Sequence, residues 1–192
     1  RQRQMCIRDR PIAAHKPGVT EAAQAVVERL KAAGIRVKGD FSDNSPGWKF
    51  AEWEMKGVPL RLEIGPKDIE KNQCVLVRRD NREKTFVSLD ELETAIPAQL
   101  DALAQSLYAR ALENREMRTW AATTMDEVKA LAEANNGYIK TMWCGDVACE
   151  EKMKEEAGLS SRCMPFEQEH LGETCPVCGR AAKKMIVWGV AY

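Results

Sequence analysis

The sequence lacks several features that would assign a function directly. It has no apolar run of about 18 residues and no GxSxG, P-loop, Rossmann or HExxH motif. It also has no net charge, because lysine plus arginine and aspartate plus glutamate both number 29. Without a long apolar run or a global positive field, we predict a cytoplasmic protein that does not enter a membrane and whose RNA contacts, if any, are local.

The first ten residues differ in composition from the rest of the chain. RQRQMCIRDR carries four arginines against one acid, and neither a helical nor a strand period runs through it. We interpret residues 1–10 as a foreign or artefactual extension. The first domain is therefore expected to begin at residue 11.

Residues 11–114 are predicted to form an α/β domain. Helical and extended patterns alternate, as in a small layer of helices on a sheet. The long apolar stripe from Leu89 onward predicts a final helix with a kink or restart at Pro97, behind a capping-box pattern at Ser88 and Glu91. The other predicted elements are helices over 19–33 and 48–56 and strands over 35–38, 58–64, 73–78 and 84–87.

Residues 115–192 are predicted to form a second, small α+β domain. Thr124 and Glu127 form another capping-box pattern, and Asn135-Asn136-Gly137 ends the helix that follows. Further along the chain, the patterns predict strands over 137–143, 161–166 and 184–190 and a charged helix over 147–157.

The cysteines give the clearest chemical signal. Cys144 and Cys149 are five residues apart, and Cys175 and Cys178 are three apart in the run CPVCG. Two close thiol pairs with adjacent glycines match a tetrahedral zinc site. Four protein ligands leave no open coordination position, so we predict a structural zinc ion that performs no catalysis. The alternative is that these thiols are small buried apolar groups.

Other thiols and histidines carry weaker signals. Cys74 and Cys163 lie in apolar strand patterns, which predicts packed thiols rather than nucleophiles. His170 is predicted to be an exposed loop histidine rather than a metal ligand. No catalytic constellation emerges from the residues alone.

Two stretches of the chain resemble one protein family. The run PGWKFAEWEMKGVPLRLEIGPKDIE resembles the anticodon-binding domain of prolyl-tRNA synthetases of the archaeal and eukaryote-like type. The cysteine pairs, the segment SSRCMPF and the final tyrosine are similar to that family's C-terminal zinc-binding domain. The resemblance covers residues 11–192. It implies a mixed sheet with flanking helices in 11–114, followed by an α+β zinc-binding domain in 115–192.

The resemblance also implies an activity for a larger parent protein. Such a protein is a proline-tRNA ligase, a class II aminoacyl-tRNA synthetase that activates proline with ATP and magnesium and charges tRNA(Pro). It works as a homodimer built by its catalytic domain. That domain would precede residue 11, so we expect this chain to lack the catalytic core and to be inactive by itself.

Several site residues follow from the resemblance. The family reads anticodon bases with a glutamate and an arginine seven residues apart and with a basic residue in the next loop, which implies Glu54, Arg61 and Lys84. A carboxylate accepts from the amino edge of guanine, arginine donates to O6 and N7, and a ring such as Trp48 can stack on a base. From the residues alone, Glu54 and Arg61 would be an ordinary surface ion pair. Tyr192 is implied to fold back toward the aminoacylation site.

Two other functions remain as alternatives. A free-standing RNA-binding or adaptor module could carry the same two domains, since domains recur outside their enzymes. A thiol-based redox enzyme is the more distant alternative, which one bound zinc ion per chain would argue against.

Overall fold

The computed structural model describes residues 7–11 and 18–190, with the side chains of 18–45 and 47–190. The chain divides into two compact units, Arg1–Ala109 and Arg110–Tyr192. Each has its own mixed sheet and flanking helices, which confirms the predicted fold class. None of the helices described is both long and apolar enough to span a bilayer. Tyr192 lies outside the described residues.

The first unit is built on a five-stranded sheet with the order β2-β1-β3-β4-β5. β1 is parallel to both of its neighbours, whereas β3, β4 and β5 form an antiparallel meander. The elements are β1 Ile7–Pro11, α1 Val19–Ala32, β2 Val37–Gly39, α2 Pro46–Met55, β3 Leu60–Ile64, α3 Pro66–Glu70, β4 Gln73–Arg78, β5 Lys84–Ser88, a 3-10 turn Leu89–Glu91 and α4 Leu92–Met117, whose residues from Arg110 onward belong to the second unit.

Strand β1 begins within residues 1–10, where the side chains show no strand period. Ile7 pairs with Val37 on one side and with Leu60 on the other, so this strand lies inside the sheet. A sheet ladder is made by backbone N–H and C=O groups, which any residue except proline supplies in full. The strand therefore extends across the domain start predicted at residue 11, although its sequence shows no alternation of apolar and polar residues.

The core of the first unit lies on one face of this sheet. Leu60, Leu62 and Ile64 point to that face at alternating positions of β3 and are fully buried. They pack in one cluster with Leu30 of α1 and Ile96 of α4. Burying an aliphatic side chain of this size contributes about 1.5–3 kcal/mol relative to leaving it exposed. Residues at the intervening positions, such as Arg61, therefore point away from the core.

Three details of the helices differ from the predictions. α3 had no prediction, because five residues are too few to show a helical period. Ser88 caps the 3-10 turn through the backbone N–H of Asp90, where a capping box with Glu91 was expected. α4 passes through Pro97 as one continuous helix, so there is no restart.

Helix α2 exposes an apolar stripe at helical spacing, made of Trp48, Ala51 and Met55. Trp48 and Met55 are 51% and 88% exposed. The face turned inward instead carries Lys49 and Trp53, which bond to Asp40. These contacts with Asp40, rather than the apolar period, decide which face of α2 turns inward. A buried lysine needs a charged partner, and Asp40 is that partner of Lys49.

The second unit has a four-stranded sheet with the order β6-β7-β9-β8. β6 had no prediction, and β8 begins two residues earlier than expected because Gly158, at φ 67, ends the preceding helix abruptly. The elements are β6 Thr119–Ala121, α5 Met125–Ala134, β7 Tyr138–Trp143, α6 Val147–Ala157, β8 Leu159–Cys163 and β9 Lys184–Val190.

The second core lies between this sheet and its two helices. Trp188 is 1% exposed, and its Nε1 donates to Thr141 Oγ1 over 2.9 Å, so the buried indole leaves no unsatisfied donor. Val128 and Met153 bring α5 and α6 into the same cluster. The capping box of Thr124 with Glu127 is present as predicted.

A buried polar cluster anchors α2 to the segment after β2. Trp53 Nε1 donates to Asp40 Oδ2 at 2.6 Å, and Ser42 Oγ donates to Asp40 Oδ1 at 2.7 Å. Lys49 Nζ lies 3.6 Å from the same carboxylate and donates to the backbone oxygen of Asp40. Burial raises the pKa of Asp40, but the hydrogen bonds from Trp53 and Ser42 and the charge of Lys49 together lower it from 3.8 to about 2.

We predict that this cluster makes the first unit sensitive to acid. Because the folded pKa of Asp40 lies below its unfolded value, the carboxylate contributes about 2 kcal/mol above pH ~4, which is lost as the pH falls toward 2. The stability gap between the parent and Asp40→Asn, measured by urea unfolding, should shrink over that range. Asp43→Asn, at an exposed acid, is the control. A gap that stays constant with pH would contradict the assignment.

Candidate functional site

The outward face of β3 and β4 carries the first candidate site. Arg61 pairs with Val77 across the sheet, and Val77 pairs in turn with Lys84 of the edge strand β5. Directly paired residues share a sheet face, so Arg61 and Lys84 stand on the same face, two strand spacings or about 10 Å apart. The hairpin register therefore aligns two cations that are 23 residues apart in sequence.

The guanidinium of Arg61 is held from three directions. Its Nε donates to Glu63 Oε1 at 2.7 Å, and its Nη1 donates to Glu54 Oε1 at 3.3 Å. Its central carbon lies 3.7 Å from the centre of the Phe50 ring, a cation–π contact. The side chain keeps 16% of its surface exposed. Stacking and two carboxylates thus fix the plane of the guanidinium.

Glu54 connects this arginine to the turn between β4 and β5. Its carboxylate, 38% exposed, also lies 3.8 Å from Arg82 Nη2. Its backbone oxygen accepts from Arg79 Nε at 3.0 Å. The structure thus brings the predicted residues Glu54 and Arg61 together, seven positions apart in sequence, through the end of a helix and the strand that follows it.

Trp48 and Lys84 complete the set of residues assigned from sequence, and both side chains are exposed. Among the described residues, neither makes a hydrogen bond or ion pair with Glu54 or Arg61. Sequence reasoning missed Phe50 and Glu63 as partners of Arg61. The strand period would have found Glu63, which lies two residues further on the same face, whereas nothing in the sequence indicates that α2 places Phe50 there.

The second candidate site is the cysteine cluster of the other unit. The Sγ atoms of Cys144, Cys149, Cys175 and Cys178 all lie within 4.8 Å of one another. Cys144 Sγ is 3.6 Å from Cys149 Sγ and 3.7 Å from Cys178 Sγ. Four sulfurs bound at 2.3 Å to a tetrahedral ion stand about 3.8 Å apart, so these distances suit a metal ion.

Tight turns bring the sulfurs together. Gly145 and Gly179 follow a cysteine of each pair and adopt φ values of 91° and 70°, which a residue with a Cβ rarely adopts. The N–H of Gly179 donates to the backbone oxygen of Cys175 at 2.9 Å and closes the second turn. Three of the four cysteines are buried, and only Cys178 is exposed.

Arg180 supplies positive charge to this cluster. Its Nε donates to Cys178 Sγ at 3.2 Å, and its Nη2 lies 3.9 Å from the sulfurs of Cys144 and Cys149. The same guanidinium pairs with Asp146. The hydrogen bonds from Arg180 lower the pKa of Cys178 to about 6, whereas burial, followed by contacts with the other thiols, raises the pKa of Cys149 to about 12. A buried group of thiols like this one ionises fully only with a bound cation.

Cys74, Cys163 and His170 stand apart from the cluster. Cys74 is buried, as predicted, but Cys163 is exposed, because it ends β8 at an edge of its sheet next to an irregular register. His170 is exposed and contacts Glu173 at 2.9 Å, which confirms that it is a loop histidine. None of these residues reaches the four-sulfur group.

Family models match both units. The model described as "Anticodon binding domain" matches residues 10–99, and the model described as "Prolyl-tRNA synthetase, C-terminal" matches residues 125–192. The first match contains the Glu54 and Arg61 pair, and the second contains all four clustered cysteines.

Relatives agree with these matches. A "Proline--tRNA ligase" of Clostridium novyi is 59% identical and a "Proline--tRNA ligase 2" of Bacillus thuringiensis is 56% identical, each over 95% of this chain and 38% of the relative. A crystal structure of prolyl-tRNA synthetase from Cryptosporidium parvum, complexed with L-proline and AMP, has a TM-score of 0.87 and 35% identity over 98% of this chain and 40% of its own. The chain thus spans about two-fifths of its relatives' length, and it belongs to the prolyl-tRNA synthetase family through an anticodon-binding domain and a C-terminal domain.

Proposed function

We propose that this chain recognises the anticodon of tRNA(Pro) as part of a proline-tRNA ligase. The observation that carries the proposal is the Arg61 guanidinium, which is stacked on Phe50 and bonded to two carboxylates on the face that Arg61 shares with Lys84. Glu54, Arg61 and Lys84 contact the bases in this proposal, and Trp48 offers a ring for stacking.

The chemistry of the Glu54 and Arg61 pair suits guanine. Guanine presents acceptors at O6 and N7, which a guanidinium can reach with two donors, and an amino group that a carboxylate can accept from. Both protein groups already hold a fixed geometry in the free chain, so little side-chain entropy is lost on binding. Unpaired anticodon bases expose the edges that such groups contact.

The activity of the whole protein is proposed from its relatives. In this proposal, the parent enzyme activates proline with ATP and magnesium, transfers it to tRNA(Pro), acts as a homodimer through its catalytic domain and works in the cytoplasm. The two matched regions are an anticodon-binding domain and a C-terminal domain, and the chain covers 38% of the curated relatives. We accordingly expect the 192-residue chain to bind tRNA without charging it.

We propose that the ion of the four-cysteine cluster is zinc, in a structural role. Four sulfurs within 4.8 Å of one another are the donor set that zinc prefers, and they leave no coordination position for a substrate. Such an ion would tie the end of β7 and the start of α6 to the loop before β9. In the same proposal, Tyr192 at the carboxy terminus of this unit lies close to the aminoacylation site of the parent enzyme.

Replacing Arg61 tests the anticodon assignment. Arg61→Ala should weaken binding to an RNA stem-loop with the tRNA(Pro) anticodon by about 1–3 kcal/mol, because a two-point contact with guanine is lost. Fluorescence anisotropy at fixed salt measures the affinity. The control is Arg36→Ala, an exposed arginine just before the opposite edge strand β2. Equal affinity of Arg61→Ala and the parent would refute the assignment.

Replacing one cysteine tests the metal assignment. Cys175→Ser should lower the melting temperature of the second unit and make it insensitive to chelator, because metal binding contributes to folding. Cys163→Ser, at an exposed cysteine outside the cluster, should still melt earlier when chelator is added, as the parent does. Elemental analysis should find one zinc per parent chain. A parent that melts identically with and without chelator would exclude a structural metal.

A further inference from the structure

The turn between β4 and β5 presents positive charge to solvent. Arg79, Arg82 and Lys84 are exposed, against a single exposed acid, Glu83. The other acid of the turn, Asp80, has a side chain that is only 1% exposed and is paired with Arg78. The surface of this turn is therefore cationic, although the whole chain has no net charge.

Internal bonds hold this turn in one conformation. Arg78 contacts both carboxylate oxygens of Asp80, at 3.0 and 2.7 Å, and its Nη2 reaches the backbone oxygen of Ala102 in α4. The backbone N–H of Arg78 donates to the backbone oxygen of Glu83 at 3.0 Å. The backbone N–H of Arg82 donates to the backbone oxygen of Arg78, also at 3.0 Å. A turn fixed in this way presents Arg82 at a defined place.

Arg82 occupies a backbone conformation that does not favour arginine. Its φ is 61°, in the left-handed region, where glycine and asparagine are the less strained residues. Among the described residues, one other residue that is not glycine has a left-handed backbone, and it is Asn72, with φ 49°. The Arg82 side chain is 81% exposed, and its one ion pair with a side chain that the structure describes is the 3.8 Å contact with Glu54. Folding therefore gains little from an arginine here.

An exposed aromatic ring stands on the strand that follows. Phe86 is 66% exposed and lies two residues after Lys84, on the same face of β5. It pairs with Val75, which pairs with Glu63, the carboxylate partner of Arg61. The ring thus shares the sheet face of the Glu54 and Arg61 pair, at the outer edge of the sheet.

We propose that Arg82 and Phe86, which we call the hairpin patch, bind one further nucleotide of single-stranded RNA. Arg82 contacts its phosphate, and Phe86 stacks on its base. The nucleotide neighbours those read by Glu54 and Arg61, so the inference rests on the proposed function. RNA is favoured over a protein partner because the cation of Lys84 and the ring of Phe86 share one face of β5 and Arg82 adjoins Glu54.

Substitutions of Arg82 separate binding from folding. Arg82→Gly should weaken binding of the anticodon stem-loop about fivefold and reduce the slope of log K against log salt by about 0.7. Its melting temperature should stay equal or rise, because glycine relieves the left-handed strain. Arg82→Lys keeps the charge and should retain most of the affinity. An Arg82→Gly variant with unchanged affinity and unchanged salt slope would overturn the phosphate contact.

Substitution of Phe86 tests the stacking contact. Phe86→Leu should weaken binding about tenfold, and the effect should disappear with an RNA that has an abasic residue next to the anticodon bases. Tyr108→Leu, at an exposed ring in α4, is the matched control and should bind as the parent does. A Phe86→Leu effect that persists on all single-abasic RNAs, or no effect at all, would refute the stacking role.

The outcomes for the two proposals are distinguishable. If Arg61→Ala binds RNA as the parent does, the proposed anticodon recognition fails and the hairpin patch fails with it. If Arg61→Ala weakens binding while Arg82→Gly and Phe86→Leu do not, only the hairpin patch is refuted, as it would be if these residues served a protein partner.

Discussion

The register of the β3–β4–β5 meander is the constraint on which the first unit depends. It directs Leu60, Leu62 and Ile64 into the core and leaves Arg61 outside, in line with Lys84. A slip of one residue would exchange the two faces and would bury the arginine, so core packing and site geometry select the same register. The face that reads RNA in our proposal is thus fixed by the burial of aliphatic side chains on the opposite face.

The charges around Arg61 are arranged in pairs, and the excess positive charge is confined to the turn between β4 and β5. Arg61 is matched by Glu54 and Glu63, and Arg82 adjoins Glu54 again. Paired charges produce a weak field at long range but orient donors and acceptors closely at short range. This arrangement suits recognition of individual bases, which depends on hydrogen-bond geometry, and it agrees with a chain of zero net charge.

The second unit is small, so its stability depends on more than its apolar core. A short chain buries a limited apolar area, and a bound metal is a common supplement. Here Trp188 belongs to an apolar cluster that packs against β7, and the four cysteines lie close together near the end of that strand. Arg180, near three of the sulfurs, offsets the excess negative charge that four thiolates would give a divalent ion.

The sequence by itself determined the elements with strong local periods and the two close pairs of cysteines. β4 and β9, the capping box at Thr124 and the four cysteines follow from patterns within a few residues. Tertiary structure decided the rest. β1 is set by backbone pairing, the exposed stripe of α2 by the buried Asp40 cluster, and the contacts of Arg61 with Phe50 and of Glu54 with Arg82 by how the helix meets the hairpin. Such contacts depend on distances between elements, which no local period encodes.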